Sequence, residues 1–163
     1  MPGQRLGTTN LKLELKSAAR QAVLRADPTE VPRSVLVAVS GPNQFLAGFL
    51  GPVGLLLVKT YFLTVTDRSV YVHRGPRTVN LPEELVHVIP RDRAAGLVAG
   101  VRLGRSWNAL HLRFPGSAKP TRLNVSFHSR PELDDFLKKF PAAPEGGNTP
   151  AAGGARRGGV SGA

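Results

Sequence analysis

The sequence predicts a mainly β domain of the α+β class: a small, bent antiparallel sheet with a helix before it and a capping helix after it. Three observations lead there. Short runs of β-branched and aromatic residues recur between clusters of Gly, Pro, Asp and Ser. Two of the later runs alternate apolar and polar residues, the pattern of strands buried on one face only. The last patterned segment instead carries apolar residues at helical spacing behind a helix-start signal.

The elements follow in order. Asn10 is placed to cap a helix from about Leu11 to Arg25, with Leu11, Leu15, Ala18, Ala22 and Val23 or Leu24 as its apolar face. Its first residues, LKLEL, also alternate like a strand, and Asp27-Pro28 ends the element. Ser34–Val39 is a β-branched run closed by Ser40-Gly41-Pro42, which predicts a buried strand. Tyr61–Val65 and Ser69–His73 flank Thr66-Asp67-Arg68, a hairpin signal. Leu85–Ile89 predicts a further strand stopped by Pro90.

Ala109–Phe114 and Arg122–Phe127 form the clearest pair. Leu110, Leu112 and Phe114 alternate with His111 and Arg113, and Leu123, Val125 and Phe127 alternate with Arg122, Asn124 and Ser126. The polar sets, brought together on the outward faces, make a candidate binding surface, although any half-exposed sheet needs such residues. Ser129-Arg-Pro-Glu132 fits a capping box with Pro131 in the first turn. Leu133, Phe136, Leu137 and Phe140 then fall on one helical face, and Pro141 stops the helix.

These elements divide the chain into a helical segment over 1–30, a β domain over 31–140 and a tail over 141–163. The tail holds no large apolar residue except Val160, so disorder is expected there. The chain has no cysteine, which excludes disulfides and thiolate metal sites. Its first residues contain no uninterrupted apolar h-region, so no secretory signal is expected. Both features point to the cytoplasm, with the inner face of the membrane as a place of action.

Charge is unevenly placed. Of the net +11, six positive charges fall between Arg91 and Arg122, where Arg91, Arg93, Arg102, Arg105, Arg113, Lys119 and Arg122 face only Asp92. Such a region attracts anions: lipid headgroups, nucleic acid or an acidic protein surface. A solvated face would look the same in a chain with 16 Arg against 6 Lys. The six arginines are the candidate anion-binding residues.

The run over 45–58, FLAGFLGPVGLLLV, carries no charge. As a helix its 14 residues would span about 21 Å, short of the ~30 Å hydrocarbon core of a bilayer. Burial in the core ranks first for it, insertion into a membrane surface second and a true span third. If it is uncovered, Phe45, Leu46, Phe49, Leu50, Leu55, Leu56 and Leu57 become candidate membrane or partner contacts.

Chemistry-bearing motifs are sparse. His73, His87, His111 and His128 stand at no metal-binding spacing, and no P-loop, nucleophile-elbow or dinucleotide fingerprint occurs. Gly100-Val-Arg-Leu-Gly104-Arg105 is able to offer backbone N–H groups to an anion, yet a turn between strands explains it equally well. Trp107 reads as a core anchor rather than a stacking platform. No catalytic residue, metal ligand or cofactor is assigned, and the chain is expected not to be an enzyme.

Tyr61-Phe-Leu-Thr-Val-Thr-Asp-Arg-Ser-Val-Tyr-Val72, followed by the 85–90 and 122–127 strands and the terminal helix, resembles the bacterial pleckstrin-homology-like and GRAM-type domains over about Val35 to Phe140. The resemblance implies a strongly bent sheet or barrel plugged by a C-terminal helix, and a binding scaffold. The apolar run before Tyr61 is an insertion relative to that pattern. The expected role is a non-catalytic binding module. An anionic membrane surface, reached through the basic region and the apolar run, is favoured slightly over an unidentified protein partner. Nucleic acid ranks lower, because the basic region interleaves only Trp107 and Phe114.

Overall fold

The computed structural model describes residues 3–40 and 49–143. In chain order the elements are helix α1 (Gly3–Ala26), strand β1 (Pro32–Ser40), the short helix α2 (Gly51–Leu57), and strands β2 (Lys59–Thr66), β3 (Ser69–Pro76) and β4 (Glu84–Pro90). Strands β5 (Val98–Arg102), β6 (Trp107–Leu112) and β7 (Thr121–Ser126) follow, and helix α3 (Arg130–Lys139) closes the domain. The seven strands form one antiparallel sheet in the order β4-β3-β2-β1-β7-β6-β5, curled into a half-barrel. Register shifts at Pro32/Ser34, Val72/His73 and Val98/Gly100 each add local twist that helps the sheet curl.

The expected mainly β architecture with a helix at each end is what the chain adopts. Two starts differ from the sequence reading. The first helix begins at Gly3, so Asn10 lies within it rather than at its cap. Val98–Arg102 is a strand that the sequence reading passed over. The hairpin around Asp67-Arg68 has the expected register, Val65 opposite Val70, and Thr66 closes its turn by accepting from the Ser69 N–H at 2.9 Å.

Burial explains the two strand patterns. The concave face of the sheet carries the main core, in which Leu36, Leu63, Val72, Leu110 and Leu123 meet Leu133, Phe136 and Phe140 of the α3 segment. On the convex face, α1 packs Ala19 against Val35 and Phe62, with Leu15 and Val37 at the margin. The inward set of α1 is therefore Leu15, Ala19, Ala22 and Val23, while Leu11 and Leu24 are exposed. Covered on both sides, β2 and most of β3 are buried without alternation; β7, bare on its convex side, alternates.

The capping box expected at α3 is not formed. Ser129 makes no side-chain cap hydrogen bond. Glu132 is engaged elsewhere: its Oε1 accepts from Lys12 of α1 at 2.7 Å and from Lys16, tying the two helices together across the end of the sheet. Lys12 Nζ also donates to the His128 carbonyl at 2.8 Å. Burial alone would raise the Glu132 carboxyl, but the hydrogen bonds from Lys12 and Lys16 outweigh it and hold the pKa below the usual carboxylate range.

Two outcomes follow from this packing. Phe136 is 1 % exposed, so Phe136→Ala should cost about 3–5 kcal/mol in urea unfolding, whereas Leu24→Ala on the outer side of α1 should stay within about 0.5 kcal/mol. A carboxyl with a depressed folded pKa stabilises fully above its unfolded value and loses that contribution as pH falls through the folded one. The thermal midpoint of the parent chain should thus exceed that of Glu132→Gln by roughly 3 °C above pH ~5. The gap should close as pH falls below the ordinary glutamate value of ~4.3 and through the lowered folded one.

Candidate functional site

Strand register gathers several connections at one rim of the half-barrel. Ser40, at the exit of β1, pairs with Lys59, at the entry of β2, and Lys59 pairs with Pro76 at the exit of β3. Val39 pairs with Asn124 of β7, so the β6–β7 hairpin, which opens beyond the Leu112–Thr121 pair, lies at the same rim. The β3–β4 loop joins the rim directly: the Arg77 N–H donates to the Val58 carbonyl at 3.3 Å, and Thr60 Oγ1 and Asn80 Oδ1 are 3.0 Å apart. That loop folds so closely over β3 that a Cβ at Gly75 would stand 1.8 Å from the Leu81 carbonyl oxygen.

The rim is apolar where water reaches it. Phe49 is 92 % exposed, and Leu50, Val53, Leu56 and Leu57 around α2 are exposed with it. Val79 and Leu81 of the adjoining β3–β4 loop are also exposed. This corrects the expectation of core burial for the described part of the 45–58 run. The reason is geometric: α3 already fills the concave face and α1 covers the convex face over β1 and β2. The backbone of Leu55 lies within α2, and Phe45 and Leu46 fall outside the described residues. The expected tail disorder concerns residues that, from 144 onward, also fall outside them. Among the described residues, no helix is long and apolar enough to cross a membrane.

The six candidate arginines do not share one surface. Arg91, though exposed, is held against the domain: it donates to the Thr66 carbonyl at 3.2 Å and lies 5.2 Å from the centre of the Phe140 ring. Arg93 and Arg113 line one cavity of about 350 Å³ with Gly116 and Ser117 of the β6–β7 hairpin. Arg102 and Arg122 line another, of about 170 Å³, on the convex face with Trp107 and Asn124. Arg105 sits exposed in the β5–β6 turn, away from the rim. Apart from Arg91, these arginines, like Lys59 and Lys119, make no side-chain hydrogen bond or ion pair among the described residues. From Arg93 to Pro131 the sequence contains no Asp or Glu to pair with.

The outward set read from the β6–β7 alternation holds for four of its five members. His111 stands opposite Arg122, Ala109 opposite Asn124 and Trp107 opposite Ser126, which places these side chains on the convex face. Arg113 lies past the end of β6 and belongs to the other cavity. Trp107 is not the core anchor it was read as; it is 36 % exposed, and the buried residue beside it is Asn108. Asn108 Oδ1 accepts from the Gly104 N–H at 3.2 Å, and its amide donates to the Val125 carbonyl at 3.4 Å. The Gly104 N–H is thus already taken and is not free for an anion.

Of the histidines, His73 is buried on the convex side of β3, its ring stacked 6.5 Å from that of Tyr71. Burial and then nearby Arg25 push its pKa down, so it is neutral at physiological pH. His87 is stacked 4.9 Å from Phe114 and is lowered by burial and by Arg74. Among the described residues, no group of three or more His, Asp or Glu side chains is placed to hold a metal.

Compared with known proteins, the chain matches no family model, no curated protein and no solved structure.

Proposed function

We propose that this chain is a non-catalytic membrane-association module of pleckstrin-homology-like type that docks its rim onto an anionic bilayer. The observation that carries this reading is the meeting, on one rim, of exposed apolar side chains around α2 with cations that have no ion-pair partner among the described residues. Phe49, Val53, Leu56 and Leu57 supply apolar area for the acyl boundary, each fully inserted side chain being worth about 1.5–3 kcal/mol. Lys59, Arg113 and Lys119 stand at the strand ends and hairpin around it, each worth about 1 kcal/mol against anionic lipid. The strand order and the helix in the concave opening support the pleckstrin-homology-like reading. The inner face of the cell membrane is the anionic surface such a rim fits.

A protein partner is the second reading, favoured by one observation. β4 is an edge strand paired only with β3, and Leu85 and Val88 on it are exposed, which offers a template for strand addition.

Flotation with vesicles separates the two. The parent chain should float with anionic vesicles and poorly with neutral ones. Leu56→Glu with Leu57→Glu should weaken binding by at least about tenfold. The triple change Lys59→Gln, Arg113→Gln and Lys119→Gln should weaken it by a similar factor and flatten its salt dependence. Equal flotation of all three proteins, or none with either vesicle, would sink the membrane reading and leave the β4 edge as the contact.

A further inference from the structure

A second surface lies on the convex face, touching the rim at Arg77 and Val39, and its chemistry is different. The N-terminal half of α1 stands off the sheet and leaves an open groove of about 320 Å³. Its floor is Val35, Val37 and Val39, alternate residues of β1, and Leu11 and Leu15 form the helix wall. From Val35 to Val39 this floor runs about 13 Å along the strand. Three cations line it: Lys12 and Lys16, which share the single carboxylate of Glu132, and Arg77, which donates to Asn80 Oδ1 at 3.3 Å.

At one end the groove reaches Trp107 and Asn124, and both residues also line the concavity that holds Arg102 and Arg122. The two hollows therefore adjoin at these side chains. Register fixes the arrangement: Arg102 and Asn124 both pair with Ala109, from opposite sides, and Arg122 pairs with His111. The small Ala109 side chain leaves open floor between Arg102 and Asn124. Gly104 completes this end; a Cβ there would stand 2.3 Å from the Trp107 carbonyl oxygen, so the tight β5–β6 turn that sets Trp107 beside Arg102 requires glycine.

We infer that these adjoining hollows together bind a single-chain anionic amphiphile, a fatty-acid carboxylate or its phosphate counterpart. The alkyl chain lies on the valines of β1 beneath α1, and the headgroup sits between Arg102 and Arg122. The size is that of one alkyl chain, near the lower end of the ~300–1,000 Å³ typical of small-molecule sites. The charge selects the headgroup: two guanidinium groups with no acidic partner among the described residues face the concavity, and each is able to bind a carboxylate or phosphate bidentately. This site shares none of Lys59, Arg113, Lys119 or the exposed apolar residues of α2 with the rim, so it stands or falls independently of vesicle binding.

Trp107 is the chain's only tryptophan and lies where the two hollows meet, so its emission reports on occupancy. The test is titration of the full chain with laurate below its micelle concentration, beside decanoate, neutral dodecanol and cationic dodecyltrimethylammonium. Laurate should give a saturable change in emission. Each methylene gained from decanoate to laurate should tighten binding about fourfold. Arg102→Gln with Arg122→Gln should weaken laurate by at least about tenfold while leaving dodecanol unchanged. Both arginines are exposed, and unchanged circular dichroism and thermal midpoint would show that the variant folds. Absence of a saturable response, equal binding of the cationic amphiphile, or laurate binding indifferent to both arginines would overturn the assignment.

Discussion

The structure depends on one constraint: a curled sheet that does not close has two faces and two edges to protect. The α3 segment meets the larger part of it. Leu133, Phe136 and Phe140 enter the concave side and join side chains from β1, β2, β3, β6 and β7 in one core. The same segment fixes Arg91 over the Phe140 ring and, through Glu132, holds the N-terminal half of α1. The helix that plugs the sheet is thus also the one that positions the helix on its back. A change in the α3 stripe would be felt on both faces.

What that packing leaves uncovered accounts for the proposed chemistry. With the concave side filled, α2 has no apolar surface to join and stands at the rim with Phe49 in water. With α1 seated over β1 and β2 through Ala19, the convex face of β5–β7 stays open, and the acid-free stretch from Arg93 to Ser129 leaves Arg102 and Arg122 without an ion-pair partner among the described residues. Exposed apolar area and unneutralised charge both oppose stability and solubility in isolation. Their grouping at a rim and a groove is the physical ground for reading both places as binding surfaces.

Much of this was legible in the sequence, and the failures have identifiable causes. The β2–β3 hairpin, the α3 stripe and most of the β6–β7 alternation follow local patterns that their own residues enforce; Phe127, expected as the last inward residue, instead lies past the end of β7 and is half exposed. β5 was missed because Val98-Ala-Gly-Val-Arg102 is an edge strand with a glycine at its centre, too short and mixed to alternate. The capping box failed because Glu132 finds lysines on a helix more than a hundred residues away, a tertiary competitor that no local motif reveals. Trp107 departs from its expected place in the core for a similar reason. The buried amide is satisfied by the turn at Gly104 and by β7, and the indole is left on the open face. The basic run was visible as composition, but its division into an arginine held against Phe140, two cavities and a turn depends on sheet order.

The central claim is that the α2 rim, and not the far end of the sheet, meets the bilayer. The chain has no cysteine, so a single nitroxide can be placed by Leu56→Cys at the rim or by Arg105→Cys at the far turn without background labelling. Paramagnetic accessibility, measured for each labelled protein on anionic vesicles, reports whether the label meets oxygen in the acyl region or a polar nickel chelate in water. The account predicts that the label at position 56 moves from water into the acyl boundary when vesicles are added, while the label at 105 stays in water. If both labels stay in water on vesicle-bound protein, or the one at 105 is the one that enters, the rim is not the membrane-binding surface.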